Sequence, residues 1–158
     1  MKAEDVMTRD VKSCRPETNL SQVAALMWEY DFGAMPVVDD ANRVMGMITD
    51  RDIAIAAATK GRLATEITVG EVMSGNVYAC ASDEDISSAL KTMRREKVRR
   101  LPVIGKRGKL AGILSINDIV LRAGEGRGKQ APEIPYDDVM SAFKAVCEHT
   151  KASQALGA

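Results

Sequence analysis

Two stretches of the chain carry the same alternation of apolar and polar positions. Leu20, Val23, Ala24 and Met27 fall at the i, i+3, i+4, i+7 spacing of one helical face, and Ile86, Ala89, Leu90 and Met93 repeat it. Each predicted helix leads into two short apolar runs, Met35–Val38 then Val44–Ile48, and Leu101–Ile104 then Leu110–Leu114. Short apolar runs bounded by turn residues predict strands, and the intervening turns are Asp39-Asp40-Ala41-Asn42 and Gly105-Lys106-Arg107-Gly108. A short extended stretch precedes each helix, Val11–Cys14 or Val77–Cys80. Thr18 or Asn19 is the expected cap of the first helix, and Ser82 or Asp83 that of the second. A further helix closes each half, starting near Thr49 and Ser115. The predicted order is β-α-β-β-α, twice, in an α+β (α/β) architecture.

The two halves superpose without a gap. Val6-Met7-Thr8 falls on Val72-Met73-Ser74, Cys14 on Cys80, and Pro36-Val37-Val38 on Pro102-Val103-Ile104. Gly46 falls on Gly112, Thr49 on Ser115 and Asp52 on Asp118. Core-type, turn and polar positions match together, so shared composition does not explain the repeat. Two copies of one supersecondary unit follow, 1–66 and 67–123, each too small for a full core, and a pseudo-twofold pairing is expected. Residues 124–135 hold three Gly and two Pro and read as a linker. The tail, 136–158, predicts one more helix from Tyr136 to about Lys151. Pro135 suits its first turn, and Asp137 and Asp138 suit the positive end of its dipole. Val139, Phe143 and Val146, flanked by Met140 and Cys147, form its apolar stripe. That stripe packs on the repeats or a second subunit, or belongs to a tail that moves with ligand.

Length changes the picture little: 158 residues fit one compact domain or two small ones, and neither disulfide nor metal is needed to fold them. Aromatics are only 4% of the chain, so the core must be aliphatic and Met-rich. The zero net charge argues against a general nucleic-acid binder. It conceals an asymmetry. Residues 1–66 hold 8 basic and 11 acidic groups, whereas 67–132 hold 12 and 7. An anionic ligand would find its partner charges mainly in the middle third. No apolar run of membrane-spanning length occurs and no secretory signal is visible. Three widely spaced cysteines, Cys14, Cys80 and Cys147, form neither a disulfide framework nor a metal motif, so a reducing cytoplasm is the expected location.

The candidate chemistry sits at the closing helices. Thr49 and Ser115 follow a strand directly, and Asp52 and Asp118 come three residues later. Thr/Ser-x-x-Asp is a capping device. The same residues serve a ligand if the hydroxyl and free backbone N–H groups hold a phosphate while the carboxylate accepts ribose hydroxyls. Both readings stand for each unit, and the recurrence at one offset favours the second.

The Val-Met-Thr/Ser starts, the strands Ala34-Met35-Pro36-Val37-Val38 and Arg100-Leu101-Pro102-Val103-Ile104, and the Gly-x-x-Thr/Ser-x-x-Asp helix starts together resemble a tandem pair of CBS domains, a Bateman module, over roughly residues 2–123. The resemblance implies a regulatory module for adenosine-type ligands: AMP, ADP or ATP first, with S-adenosylmethionine, NAD(H) or cyclic dinucleotides as further members. It also implies a homodimer, flat, with four such units. Carried over, Thr49 and Ser115 contact phosphate or ribose oxygens, and Asp52 and Asp118 take the ribose hydroxyls. Lys12 and Ser13, with Tyr78 and Ala79, offer backbone groups to the adenine edge. Ala34, Met35 and Pro36, with Arg100, Leu101 and Pro102, wall the bases, in two clefts side by side between the units.

Lys91, Arg94, Arg95, Lys97, Arg99 and Arg100 form a basic run, read either as a solvated helix end or as phosphate-binding. Strand alternation lets only one of Arg99 and Arg100 face the cleft, where a guanidinium would hold phosphate. Arg51 is a weaker candidate. His149, alone in the tail, lacks partners for acid–base or metal chemistry. Cys14 and Cys80 read as small buried hydrophobes, Trp28 and Tyr30 as core or dimer packing, and the methionines as core filler. No nucleophile–base pair or glycine-rich phosphate loop is present, so the expectation is a non-enzymatic sensor with no required cofactor. Its output goes to an unidentified effector protein, with neither nucleic acid nor membrane as partner. The rival is a structural module with degenerate clefts that acts through dimerisation and its tail.

Overall fold

The computed structural model describes residues 1–124 and 133–148. The first half holds α1 (Ala3–Val6), α2 (Leu20–Glu29), β1 (Ala34–Val38), β2 (Val44–Thr49) and α3 (Asp50–Thr59). The second holds β3 (Cys80–Ala81), α4 (Ile86–Glu96), β4 (Arg100–Ile104), β5 (Leu110–Ser115) and α5 (Ile116–Val120), and α6 (Tyr136–Cys147) follows. The repeat extends to the hydrogen-bond register. β1 and β2 pair antiparallel from Ala34↔Thr49 to Val38↔Val44, with an irregularity between Val37 and Val38. β4 and β5 pair from Arg100↔Ser115 to Ile104↔Leu110, with the irregularity at the equivalent step.

The expected opening strands are shorter than the apolar runs suggest. Val11–Cys14 contributes a single parallel bridge, Cys14 to Val37, and Val77–Cys80 contributes the two-residue β3 alongside β4. Asn19 caps α2, its side chain accepting from the Gln22 amide at 3.0 Å, while Thr18 accepts from the Arg15 amide instead. α4 starts later than predicted, with Asp85 as its cap position. Ser82 donates its amide to the Ile104 carbonyl at 2.9 Å, which keeps it extended beside β4 and out of the helix.

Two cores form, and each borrows from the other half. The first gathers Leu20, Val23, Met35, Val37, Ile48 and Ile53 with Ile67 and Val69, which open the second unit. The second gathers Ile86, Met93, Leu101, Leu114 and Ile119 with Ala3, Val6 and Met7 from the chain's start. The crossing is pinned by paired backbone bonds. The Thr8 amide donates to the Ile113 carbonyl at 2.9 Å and the reverse bond is 3.0 Å; Met47 and Ser74 exchange the equivalent pair at 3.2 and 2.9 Å. Glycine is required where these segments cross, because a Cβ on Gly112 would lie 2.6 Å from the Thr8 carbonyl oxygen and one on Gly46 2.7 Å from that of Ser74.

α6 packs on α4 and α5. Pro135 is its cap residue rather than part of its first turn. The buried face is Val139 and Ala142, whereas Met140, Phe143 and Cys147 are exposed, so the predicted stripe is split between two sides of the helix. The predicted end at Lys151 lies outside the described residues. No helix of the described residues is long and apolar enough to cross a membrane.

Candidate ligand cleft between the two units

The β4/β5 register sets Arg100 directly across from Ser115, at the end of the sheet where α5 begins. The Thr8–Ile113 bonds carry residues 8–12 of the first unit over the same end of β5. Tyr30 and Phe32 reach it from the end of α2, and Ala34 from the start of β1. These segments enclose a cleft of about 310 Å³, within the size range of small-molecule sites. Lys12, Ala34, Arg100, Ser115 and Asp118 all line it, as expected from the sequence. Tyr30, Phe32, Val11, Ile113, Thr8 and Asp10 line it as well. The sequence pattern assigns neither Tyr30 nor Phe32 to a cleft, although two of the chain's few aromatics fall within three residues of each other, just ahead of a buried strand.

Ser115 and Asp118 form a closed capping box. The Ser115 hydroxyl donates to Asp118 Oδ2 at 2.6 Å and accepts from the Asp118 amide at 3.2 Å, and the Ser115 amide donates to the same Oδ2 at 2.9 Å. Thr49 and Asp52 reproduce these three distances. The capping role is therefore realised in both units. In α5, five residues long, the Ile116 amide is bonded to the Arg99 carbonyl at 2.9 Å and the Asp118 amide to the Ser115 hydroxyl. Asp118 Oδ1 has no protein partner among the described residues, which leaves one acceptor oxygen for a ligand hydroxyl. Positive charge comes from side chains. Arg100 lines the cleft, and Lys12 Nζ sits 4.6 Å from the centroid of the Tyr30 ring. The cleft thus offers aromatic and aliphatic walls, two carboxylates, Asp10 and Asp118, and two cations.

The other predicted residues divide. Arg99 is exposed and turned away, its carbonyl tied to α5, so Arg100 is the inward member of the pair. Met35 and Leu101 are fully buried in the two cores, Pro36 and Pro102 are buried as well, and none of the four is among the cleft's lining residues. Only the first residue of each strand reaches the cleft. Ser13, Tyr78 and Ala79 are not among its lining residues, nor are Thr49 and Asp52, which occupy the repeat-equivalent place at the end of β2. Tyr30 belongs to the cleft rather than to packing, and Trp28 is 90% exposed rather than in a core.

Burial pushes the Cys14 thiol up to about 11 and the Cys80 thiol up to about 12, the latter helped by the nearby Glu84 charge. Both behave as small hydrophobes. His149 lies outside the described residues. Among the described residues no group of three or more His, Cys, Asp or Glu side chains is placed to hold a metal ion.

A model of the CBS domain family matches the chain twice, over residues 3–59 and 69–125. Hypoxic response protein 1 of Mycobacterium tuberculosis is 32% identical over 145 residues, 92% of this chain and 93% of that protein. A crystal structure of Hypoxic Response Protein I with two coordinated zinc ions superposes with a TM-score of 0.70 at 34% identity, covering 77% of this chain and 98% of that one. CBSX2 in complex with AMP shares the fold with a TM-score of 0.65 at 24% identity, covering 76% of this chain and 93% of that one. The CBS domain pair of MJ0100, in complex with 5′-methylthioadenosine and S-adenosyl-L-methionine, does so with a TM-score of 0.69 at 22% identity, over 77% and 94%.

Proposed function

The chain belongs to the CBS domain family, and on that premise we propose that it is a regulatory module binding an adenine nucleotide in the cleft between its two units. One observation carries the reading: Lys12, Tyr30 and Phe32 of the first unit converge with Arg100, Ser115 and Asp118 of the second around a single opening. Tyr30 and Phe32 take the base, Asp118 with Ser115 takes the ribose hydroxyls, and Lys12 and Arg100 take the phosphates. Two fold neighbours of the family were solved with adenosine compounds, AMP and the methylthioadenosine pair.

The cleft carries two cations, Lys12 and Arg100, beside two carboxylates, Asp10 and Asp118. The cations suit the phosphates of AMP, ADP or ATP, which come first among the adenosine ligands. The repeat-equivalent positions on the Thr49/Asp52 side are poorer: Lys12 becomes Tyr78, and Tyr30 becomes Glu96. We assign binding to the Asp118 side and the output to a separate effector protein. Free thiols at Cys14, Cys80 and Cys147 suit a reducing cytoplasm.

The test is a thermal-shift and titration-calorimetry panel of AMP, ADP, ATP, S-adenosylmethionine, NADH and cyclic di-AMP. Stabilisation by a mononucleotide that Asp118→Ala abolishes and Asp52→Ala retains is the expected result. No stabilisation by any compound, or loss only in Asp52→Ala, overturns the reading.

A further inference from the structure

The backbone is pinned on both sides of the cleft mouth. The segment 8–14 is tied at one end by the Thr8–Ile113 pair. At the other end the Cys14 amide donates to the Pro36 carbonyl at 3.1 Å, and the Cys14 carbonyl accepts from the Val38 amide at 2.9 Å. Tyr30 is held at the end of α2, its amide bonded to the Leu26 carbonyl at 3.1 Å and the Phe32 amide to the Met27 carbonyl at 3.1 Å. Lys12 and Tyr30 therefore keep their places, and what can move between them is the flexible lysine stem.

That stem lays its ammonium 4.6 Å from the centre of the Tyr30 ring, a cation held by the ring's quadrupole. Both side chains line the cleft, so the ammonium covers the ring where a base would stack. Asp10 lines the same cleft two residues earlier, yet among the described residues Lys12 makes no salt bridge with it or with any other carboxylate. The pair has no counterpart in the repeat, where Tyr78 and Glu96 stand at the equivalent positions.

Resting on the assignment of an adenine nucleotide to this cleft, we propose that Lys12 selects phosphorylated over unphosphorylated adenosine compounds. A base that stacks on Tyr30 must first displace the ammonium. A nucleoside gives nothing back for that, and the lost contact is worth roughly two- to fivefold in affinity. A nucleotide displaces the ammonium too, but offers it a phosphate, and a charge-assisted bond is worth about tenfold or more. Lys12 thus counts against the base and for the phosphate. Arg100, also in the cleft, pairs with no aromatic ring among the described residues and contributes only the second effect.

Calorimetric titration of the full chain with AMP, adenosine and 5′-methylthioadenosine tests it. Lys12→Ala should weaken AMP about tenfold or more and tighten both unphosphorylated compounds roughly two- to fivefold. Arg100→Ala should weaken AMP and leave the other two unchanged. Lys12→Arg keeps a cation able to stack and to bind phosphate, so it should retain the wild-type order. Proton NMR reads the side chain directly. The Lys12 ε-methylene signals, identified by their absence in Lys12→Ala, should lie upfield under the Tyr30 ring current and return to the ordinary lysine position at saturating AMP. Unphosphorylated compounds that bind no tighter to Lys12→Ala, or ε-methylene signals that stay upfield with AMP bound, overturn this inference alone. Failure of all three compounds to bind the wild-type chain overturns the nucleotide assignment and this inference with it.

Discussion

Asp118 and Arg100 face the same cleft but do different structural work, and variants separate the two. Ser115 and Asp118 hold each other in a capping box, so Ser115→Ala removes a cap before it removes a ligand contact. Losing such a cap costs about 1 kcal/mol, read as a melting temperature lower by roughly 2–4 °C without ligand. Arg100 makes no side-chain hydrogen bond to another described residue, so Arg100→Ala should leave unliganded melting within about a degree. It should weaken nucleotide binding by about tenfold or more, the size of one charged hydrogen bond. Calorimetric titration beside a melting curve checks both outcomes. The cysteines give a second residue-scale expectation. Cys14 and Cys80 are buried and Cys147 is exposed, so one thiol of three should react with a maleimide in the native protein at pH 8, and all three in denaturant. Burial raises the folded-state values of Cys14 and Cys80 from 9.0 to about 11 and about 12. Above pH 9 the unfolded chain releases thiol protons that the folded chain keeps, so stability falls as pH rises toward 11. Well below pH 8 both states keep these protons and the thiols contribute no slope. A urea midpoint that drops between pH 8.5 and 10.5, and drops less in Cys80→Ala, is the expected result.

At the scale of elements, the crossing of the two lead-in segments is the feature the cleft depends on. A methyl group at Gly112 would strike the Thr8 carbonyl oxygen and the Met7 sulfur, and one at Gly46 would strike the Ser74 carbonyl oxygen and the Met73 sulfur. Overpacking of this kind typically costs about 1–3 kcal/mol. Both Gly→Ala variants should therefore melt several degrees lower. Only Gly112→Ala displaces Thr8, which lines the cleft, so only that variant should also lose nucleotide affinity; titration of the two side by side decides it. The sequence contained much of this architecture. Helix faces, both hairpins and the two closing caps were legible because each is a local pattern, and the repeat supplied each twice. The exchange of lead-in segments was not legible, since Ala3, Val6 and Met7 look equally suited to either core. The split of α6 into two apolar faces was hidden for a related reason. Periodicity shows that Val139, Phe143 and Val146 are apolar and neighbouring, but the seat on α4 decides which side turns inward. In the cleft, residue identities were readable at Ser115 and Asp118, whose spacing is local. Tyr30 and Phe32 enter from the other unit and needed the fold.

For the whole molecule, the exchange makes the two units mutually dependent. Each core is completed by residues from the other half, and the cleft draws its walls from both. Neither half presents Lys12, Tyr30, Arg100 and Asp118 without the other, so binding reports on their relative placement. A ligand held there is a crosslink between the halves, which is how a small molecule could bias shape or assembly read by another protein. The chain should accordingly unfold in one transition rather than two, and nucleotide should shift that single transition as a whole. At one hundred times its Kd a ligand that binds only the folded state adds about 2.7 kcal/mol, and for a chain of this length that corresponds to a rise of roughly 5–10 °C. Differential scanning calorimetry with and without AMP checks both parts. If the units were independent, only the half carrying most of the contacts would be stabilised, and one endotherm would split into two as ligand is added. A single endotherm that moves intact, and stays put in Asp118→Ala, is the outcome that mutual completion of the cores requires.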